Sequence, residues 1–240
     1  ALNWVEELLE AGDWHKASQV LADFDGREGL NEATQFIVLI LRRQLAALHE
    51  GQCDALQTEV AAAVASDYIQ APQRVSLRCW AANVETWVAI AAGDASGAVQ
   101  RARAAYEIAP EDPNADAAVR LWGFAAAWAH DAEQLAAVVA VVTERGEPDG
   151  EVAQLANAAI AALEGRGAQA AAGFACVIGH YRDEGYKVSQ VMTALAMAST
   201  LAAHDLDPAI DREAQDLAAE FASATLMHHL QAAVATAATR

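Results

Sequence analysis

Lysine is almost missing from this chain: Lys16 and Lys187 are the only two in 240 residues. In all, 15 basic residues face 33 acidic ones, for a formal net charge of −18. Binding to nucleic acid needs a basic stripe that displaces counterions from phosphates, so this balance argues against direct DNA or RNA contact. Cysteine is equally sparse. Cys53, Cys79 and Cys176 form no CxxC pair, which removes a disulfide framework and a zinc-ligand spacing. Such isolated cysteines fit small buried hydrophobes in a reducing, cytoplasmic setting. No uninterrupted apolar run reaches the ~18 residues that mark a membrane span, and no signal peptide is expected. Prolines occur only at positions 72, 110, 113, 148 and 208, all beside expected turns, so helix interiors stay unbroken.

Enzyme signatures are also lacking. The chain has no GxGxxG, GxxxxGKS/T, GxSxG or HExxH. Gly165-Arg166-Gly167 lies between helical stretches rather than after a strand, and the acid pairs Glu111-Asp112 and Asp183-Glu184 sit in polar turns. His228 and His229 are adjacent, so on a helix they point about 100° apart and form no chelating face. A non-catalytic chain without metal or cofactor is expected.

What the chain does have is alanine and a period. Hydrophobic residues make up 55% of the sequence, much of that count being alanine, the best helix former; β-branched runs bounded by turn signals are nearly absent. Every 35 to 42 residues a long helical stretch stops at the same kind of short turn: Gly12-Asp13, Gly51-Gln52, Gly93-Asp94, His130-Asp131, Gly165-Arg166-Gly167 and His204-Asp205. A fixed period in that range marks helical hairpins that bury their apolar faces only by stacking on one another. The expected fold is therefore all-α: a solenoid of about six antiparallel hairpins, bounded near 1–30, 31–72, 73–112, 113–148, 149–186 and 187–224, with a capping helix over 225–240. Within it, Asn31 is expected to cap a helix running to Glu50, and Asn114 another running to Ala129. A partner helix is placed over Asp54–Ala65. The chain opens at Ala1 inside a helical stretch and without methionine, which leads us to expect an excised piece of a longer polypeptide.

The stretch from Ala95 to Pro110 resembles the second half of a tetratricopeptide repeat. With Gly93-Asp94 on that family's inter-helix turn, its small positions fall on Ala98 and Ala105 and its terminal proline on Pro110. The hairpin after Gly165 matches more loosely, with Ala170 at the small position and Phe174 at the aromatic one. Departures are Thr86 where a small residue is usual, Leu135 at another small position, and the whole stretch after His204. The resemblance implies a right-handed solenoid whose first helices line a concave groove. Long-helix versions of this kind resemble the C-terminal arms of large bacterial regulators, of the LuxR type or fused to nucleotide cyclases.

Carried onto this sequence, the resemblance sets Trp80, Asn83 and Trp87 in the groove from one unit, and Arg120, Phe124 and Trp128 from the next. Each set is spaced three and four apart and so shares one helical face. Aromatic and arginine residues are the types enriched at binding hot spots. Asn83 and Arg120 would hold a peptide backbone or a carboxylate. The alternative is that the tryptophans fill space between helices whose other positions are alanine. The expected function is a protein-interaction or regulatory module that grips a protein segment in its groove, within a larger regulator carrying an effector domain. A small-molecule-sensing arm and a purely structural or oligomerising element are the two alternatives.

Overall fold

Four of the six turns close by the same backbone chemistry, which explains the recurring Gly-Asp pair. The computed structural model describes residues 2–25, 27–50, 58–60, 62, 71–201 and 208–238. The turns at Gly51 and His204, and most of the helix expected over 54–65, lie outside these residues. At the first turn Gly12 N–H bonds to the Leu9 carbonyl (3.1 Å) and Asp13 N–H to that of Leu8 (2.9 Å). The same pair of bonds recurs at Gly93/Asp94, His130/Asp131 and Gly165/Arg166. This is the Schellman stop, which needs a left-handed residue at its first position. Gly12, Gly93 and Gly165 take it with φ between 73° and 80°, and His130 takes it with φ 56°. The following aspartate then starts the next helix: Asp13, Asp94 and Asp131 each accept from the backbone N–H three residues on. One dipeptide thus ends a helix and begins its partner.

The helices so delimited are α1 (Leu2–Glu10), α2 (Trp14–Ala22), α3 (Glu32–Leu45), α4 (Ala71–Ala91), α5 (Ala95–Ile108), α6 (Asn114–Trp128), α7 (Ala132–Glu144), α8 (Glu151–Leu163), α9 (Gly167–Glu184), α10 (Lys187–Thr200), α11 (Pro208–Glu220) and α12 (Thr225–Ala238). No strand occurs among the described residues. Asn31 caps α3 as expected, accepting from Thr34 N–H at 2.8 Å, but α3 passes into a π-helical turn over Ala46–Glu50. Asn114 is not a cap. It is the first helical residue, with Pro113 before it, and its amide donates to Asp112 and Ser76. Asp112 does the capping instead, accepting from Asn114 N–H at 2.9 Å.

Alanine lets neighbouring helices approach closely. A Cβ at Gly173 of α9 would come within 2.8 Å of the Ala158 Cβ on α8. Between α3 and α4, Arg43 is fully buried and grips Glu85 with two bonds, Nε to Oε1 at 2.6 Å and Nη2 to Oε2 at 2.8 Å.

The array curls until its ends meet. An amphipathic helix in an open array keeps a polar face. In α10, by contrast, 12 of 14 residues are buried, so it has neighbours on every side. These are α1, α6, α8, α9, α11 and α12. Its buried polar groups are paired: Thr193 and Thr200 hydroxyls bond to carbonyls one turn back, and Gln190 donates to Glu213 at 3.0 Å. The last helix, α12, does more than cover the final hairpin. It packs on α11 and α10, and also on α4 and the π-helical turn, far earlier in the chain. His229 seals that contact with a 2.7 Å bond between Nε2 and the Ala91 carbonyl.

Candidate functional site

The closure of α1 onto α10 leaves a cavity of about 270 Å³ between α1, α3, α4, α6 and the α9–α10 junction. Four of the six residues expected to bind a partner, Trp80, Asn83, Trp87 and Arg120, line it. Trp80, Asn83 and Trp87 reach it together from α4, whereas of the set expected on one face of α6 only Arg120 does. The other two are elsewhere, and the expectation of a single six-residue groove is corrected. Phe124 is 2% exposed, with its ring 6.4 Å from that of Tyr181. The Trp128 ring lies 5.8 Å from that of His229 on α12, tilted by 53° to it. Phe124 thus turns toward α9 and Trp128 toward α12.

Asn83 is the pivotal residue of the wall. It is 3% exposed, and its amide nitrogen donates to the Asn114 carbonyl at 2.9 Å. That bond fixes the amide orientation, since the reverse would oppose two oxygens. The oxygen Oδ1 is left with no partner. Trp14 Nε1 and His49 Nδ1 are also buried without partners, but only Asn83 lines this cavity. The oxygen itself has less than 1 Å² of accessible surface, so it lies behind the cavity wall, and leaving it unpaired costs about 1–3 kcal/mol.

Residues not foreseen as functional complete the wall. Glu6, Glu7 and Glu10 arrive from α1, and Tyr186 from the α9–α10 junction. Burial, and secondarily the charge of Glu7, pushes the Glu6 carboxyl above its ordinary value although much of the Glu6 side chain remains exposed. Glu10 is held: its Oε1 accepts from Ser189 N–H at 3.0 Å and from the Ser189 hydroxyl. Burial raises the pKa of the Tyr181 hydroxyl well above the usual phenol value, and the nearby charge of Arg120 only partly offsets this. The carboxylates of α1 resembled an ordinary solvated helix face in the sequence. No local signal shows that this face meets α4 and α6.

Among the described residues no three His, Cys, Asp or Glu side chains converge to hold a metal ion. No helix of the described residues is long and apolar enough to cross a membrane. The wall offers acceptors, aromatic faces and one guanidinium, which suits non-covalent recognition. No protein-family model, curated protein or solved structure matches the chain.

Proposed function

We propose that this chain is a non-catalytic regulatory module that senses a small molecule in the cavity between α1, α4 and α6. The observation that carries the proposal is the cavity itself, where Trp80, Trp87 and Tyr186 meet the carboxylates of Glu6, Glu7 and Glu10 and the guanidinium of Arg120. Aromatic surface with a few polar groups gathered around one concavity is the usual make-up of a small-molecule site. The cavity wall includes α1 and the start of α10, and Glu10 joins these two segments directly. Ligand contact would therefore bear on how the first hairpin is held against the centre of the fold. We read the array as a right-handed, tetratricopeptide-like solenoid of about six hairpins, serving as the sensing arm of a larger bacterial regulator whose effector domain reads that change.

Binding of a protein segment along a concave groove has less support. Trp87 is 7% and Phe124 2% exposed, and α10 packs over α6 and α8. That reading needs an open surface where these helices meet.

Native mass spectrometry tests the proposal. Purified chain sprayed under gentle conditions should retain a small molecule, or take one up from a metabolite panel, and Trp80→Ala, at a partly buried position of the wall, should lose it. A wild-type chain that stays empty with every member of the panel would overturn it.

A further inference from the structure

The ring of helices closes at a joint unlike the packing elsewhere in the chain. We infer that the first hairpin, α1–α2, is a gate. Held against α10 and Phe221, it tilts away together with α3, about the π-helical turn at Ala46–Glu50, and widens the cavity that α1 walls. This motion is independent of what the cavity binds.

The hairpin has a core of its own. Leu8, Leu9 and Leu21 pack with Val38, Leu41 and Leu45 of α3, apart from the larger core shared by the π-helical turn and the later helices. No buried residue of α10 or α11 belongs to the hairpin's core among the described residues. The chain passes from one core to the other at the start of the π-helical turn, since Leu45 belongs to the first and Ala46 to the second. Such turns interrupt regular helical bonding and are places where helices bend. Among the described residues only Trp14 packs against both cores. It stacks on His49 of the π-helical turn at 5.8 Å and meets Phe221 edge-on at 6.2 Å. The Phe221 ring also lies against the α1–α2 turn, where a Cβ at Gly12 would come within 2.6 Å of it. Closure leaves two polar atoms of this joint, Trp14 Nε1 and His49 Nδ1, buried without partners. Orphaned polar groups favour any state that lets water reach them. Opening the joint hydrates both and splits neither core. What holds it shut is the pair of Glu10–Ser189 bonds and a few aromatic contacts, a small set of side chains rather than a broad apolar face.

The Ser189 amide reports the joint directly. It lies in the first turn of α10, where an N–H has no acceptor within its own helix, and it donates to Glu10 Oε1 at 3.0 Å. Amide hydrogen exchange of the whole chain, followed by NMR, should show Ser189 exchanging about 10-fold or more faster than Leu9 and Leu21 of the hairpin and Ala125 of α6. Phe221→Ala removes no group bonded to Ser189, yet should speed its exchange about 10-fold further and leave Leu9, Leu21 and Ala125 unchanged. Trp14→Phe keeps an aromatic ring at the joint and removes one orphaned donor, so Ser189 should exchange about 10-fold more slowly than in wild type. A wild-type Ser189 amide as slow as Ala125 would mean that the ring stays shut, and would overturn the gate. Leu9 and Leu21 quickening along with Ser189 in Phe221→Ala would overturn it too, since the hairpin would then be unfolding rather than tilting. So would exchange at Ser189 that is unmoved by Phe221→Ala, or unmoved or quickened by Trp14→Phe.

Discussion

Glu10→Ala tests whether the two ends of the array are energetically joined. Helix α10 begins without a cap of its own, since Tyr186 precedes it and provides no side-chain bond. The cap comes from α1, where Glu10 accepts from the backbone N–H and hydroxyl of Ser189, a residue 2% exposed. Loss of a capping side chain costs about 1 kcal/mol. A carboxylate at a helix N-terminus adds about 0.3–1 kcal/mol through the helix dipole. The buried Ser189 hydroxyl, once orphaned, adds about 1 kcal/mol more. Glu10→Ala should therefore lose about 2–3 kcal/mol. In a chain of this size that lowers Tm by roughly 4–12 °C. Glu10→Gln, which keeps an acceptor but not the charge, should lose about half as much. Urea unfolding followed by circular dichroism gives the magnitude, and amide hydrogen exchange at residues 187–190 gives its location. A Glu10→Ala chain within about 0.5 kcal/mol of wild type, with unchanged exchange at the start of α10, would refute the long-range cap.

Removing the carboxylate from the buried Arg43–Glu85 pair should be costlier still, because the guanidinium of Arg43 is fully enclosed. Glu85→Ala should destabilise by about 3 kcal/mol, read from the denaturation midpoint, and a loss below 1 kcal/mol would contradict the buried-charge argument. Two glycines of α9 should respond in opposite directions to alanine. Nothing lies within 4 Å of a Cβ at Gly179, so Gly179→Ala should gain about 0.5–1 kcal/mol from helix propensity. Gly173→Ala, which meets the Ala158 Cβ at 2.8 Å, should show a net loss in the same melting experiment. Because burial and Glu7 raise the Glu6 pKa, Glu6 holds its proton more tightly in the folded chain than in the unfolded one. It favours folding below the ordinary carboxyl value of ~4.3, and that contribution disappears as pH rises through the raised folded value. Glu6→Gln should accordingly raise Tm near neutral pH and leave it unchanged at low pH, as calorimetry would show; an equal effect at both would refute the burial cause.

The helix boundaries were legible because their chemistry is local. A Schellman glycine followed by a capping aspartate acts entirely within the two adjoining helix ends, so Gly93-Asp94 and Gly12-Asp13 announce themselves, and even His130 keeps its place because Asp131 still caps. Where two nearby polar residues compete, local reasoning chose wrongly: Asn114 has the shape of a cap, but Asp112 reaches its N–H first. The π-helical turn after Leu45 had no marker at all. Curvature was the larger omission. Small residues at Ala158 and Gly173 permit close packing, but the angle accumulates over many helices and appears in no single window. Hence Trp80, Asn83, Trp87 and Arg120 could be placed on common faces, while the acids of α1 facing them could not. Phe124 and Trp128 were misplaced for the same reason, since their ring neighbours come from α9 and α12.

A helix enclosed on every side has a consequence for how this chain is made. An open array can be completed one hairpin at a time, each new unit resting on the one before. Here the first helix waits for a serine 179 residues further on, and α6 and α8 stay uncovered until α10 is synthesised. During translation the early hairpins must persist as partly finished surfaces, which is when such chains are most prone to associate wrongly. Once α10 arrives, the molecule changes from a row of neighbours into a closed ring of dependencies. Deleting the last hairpin would then shorten nothing neatly; it would remove the centre.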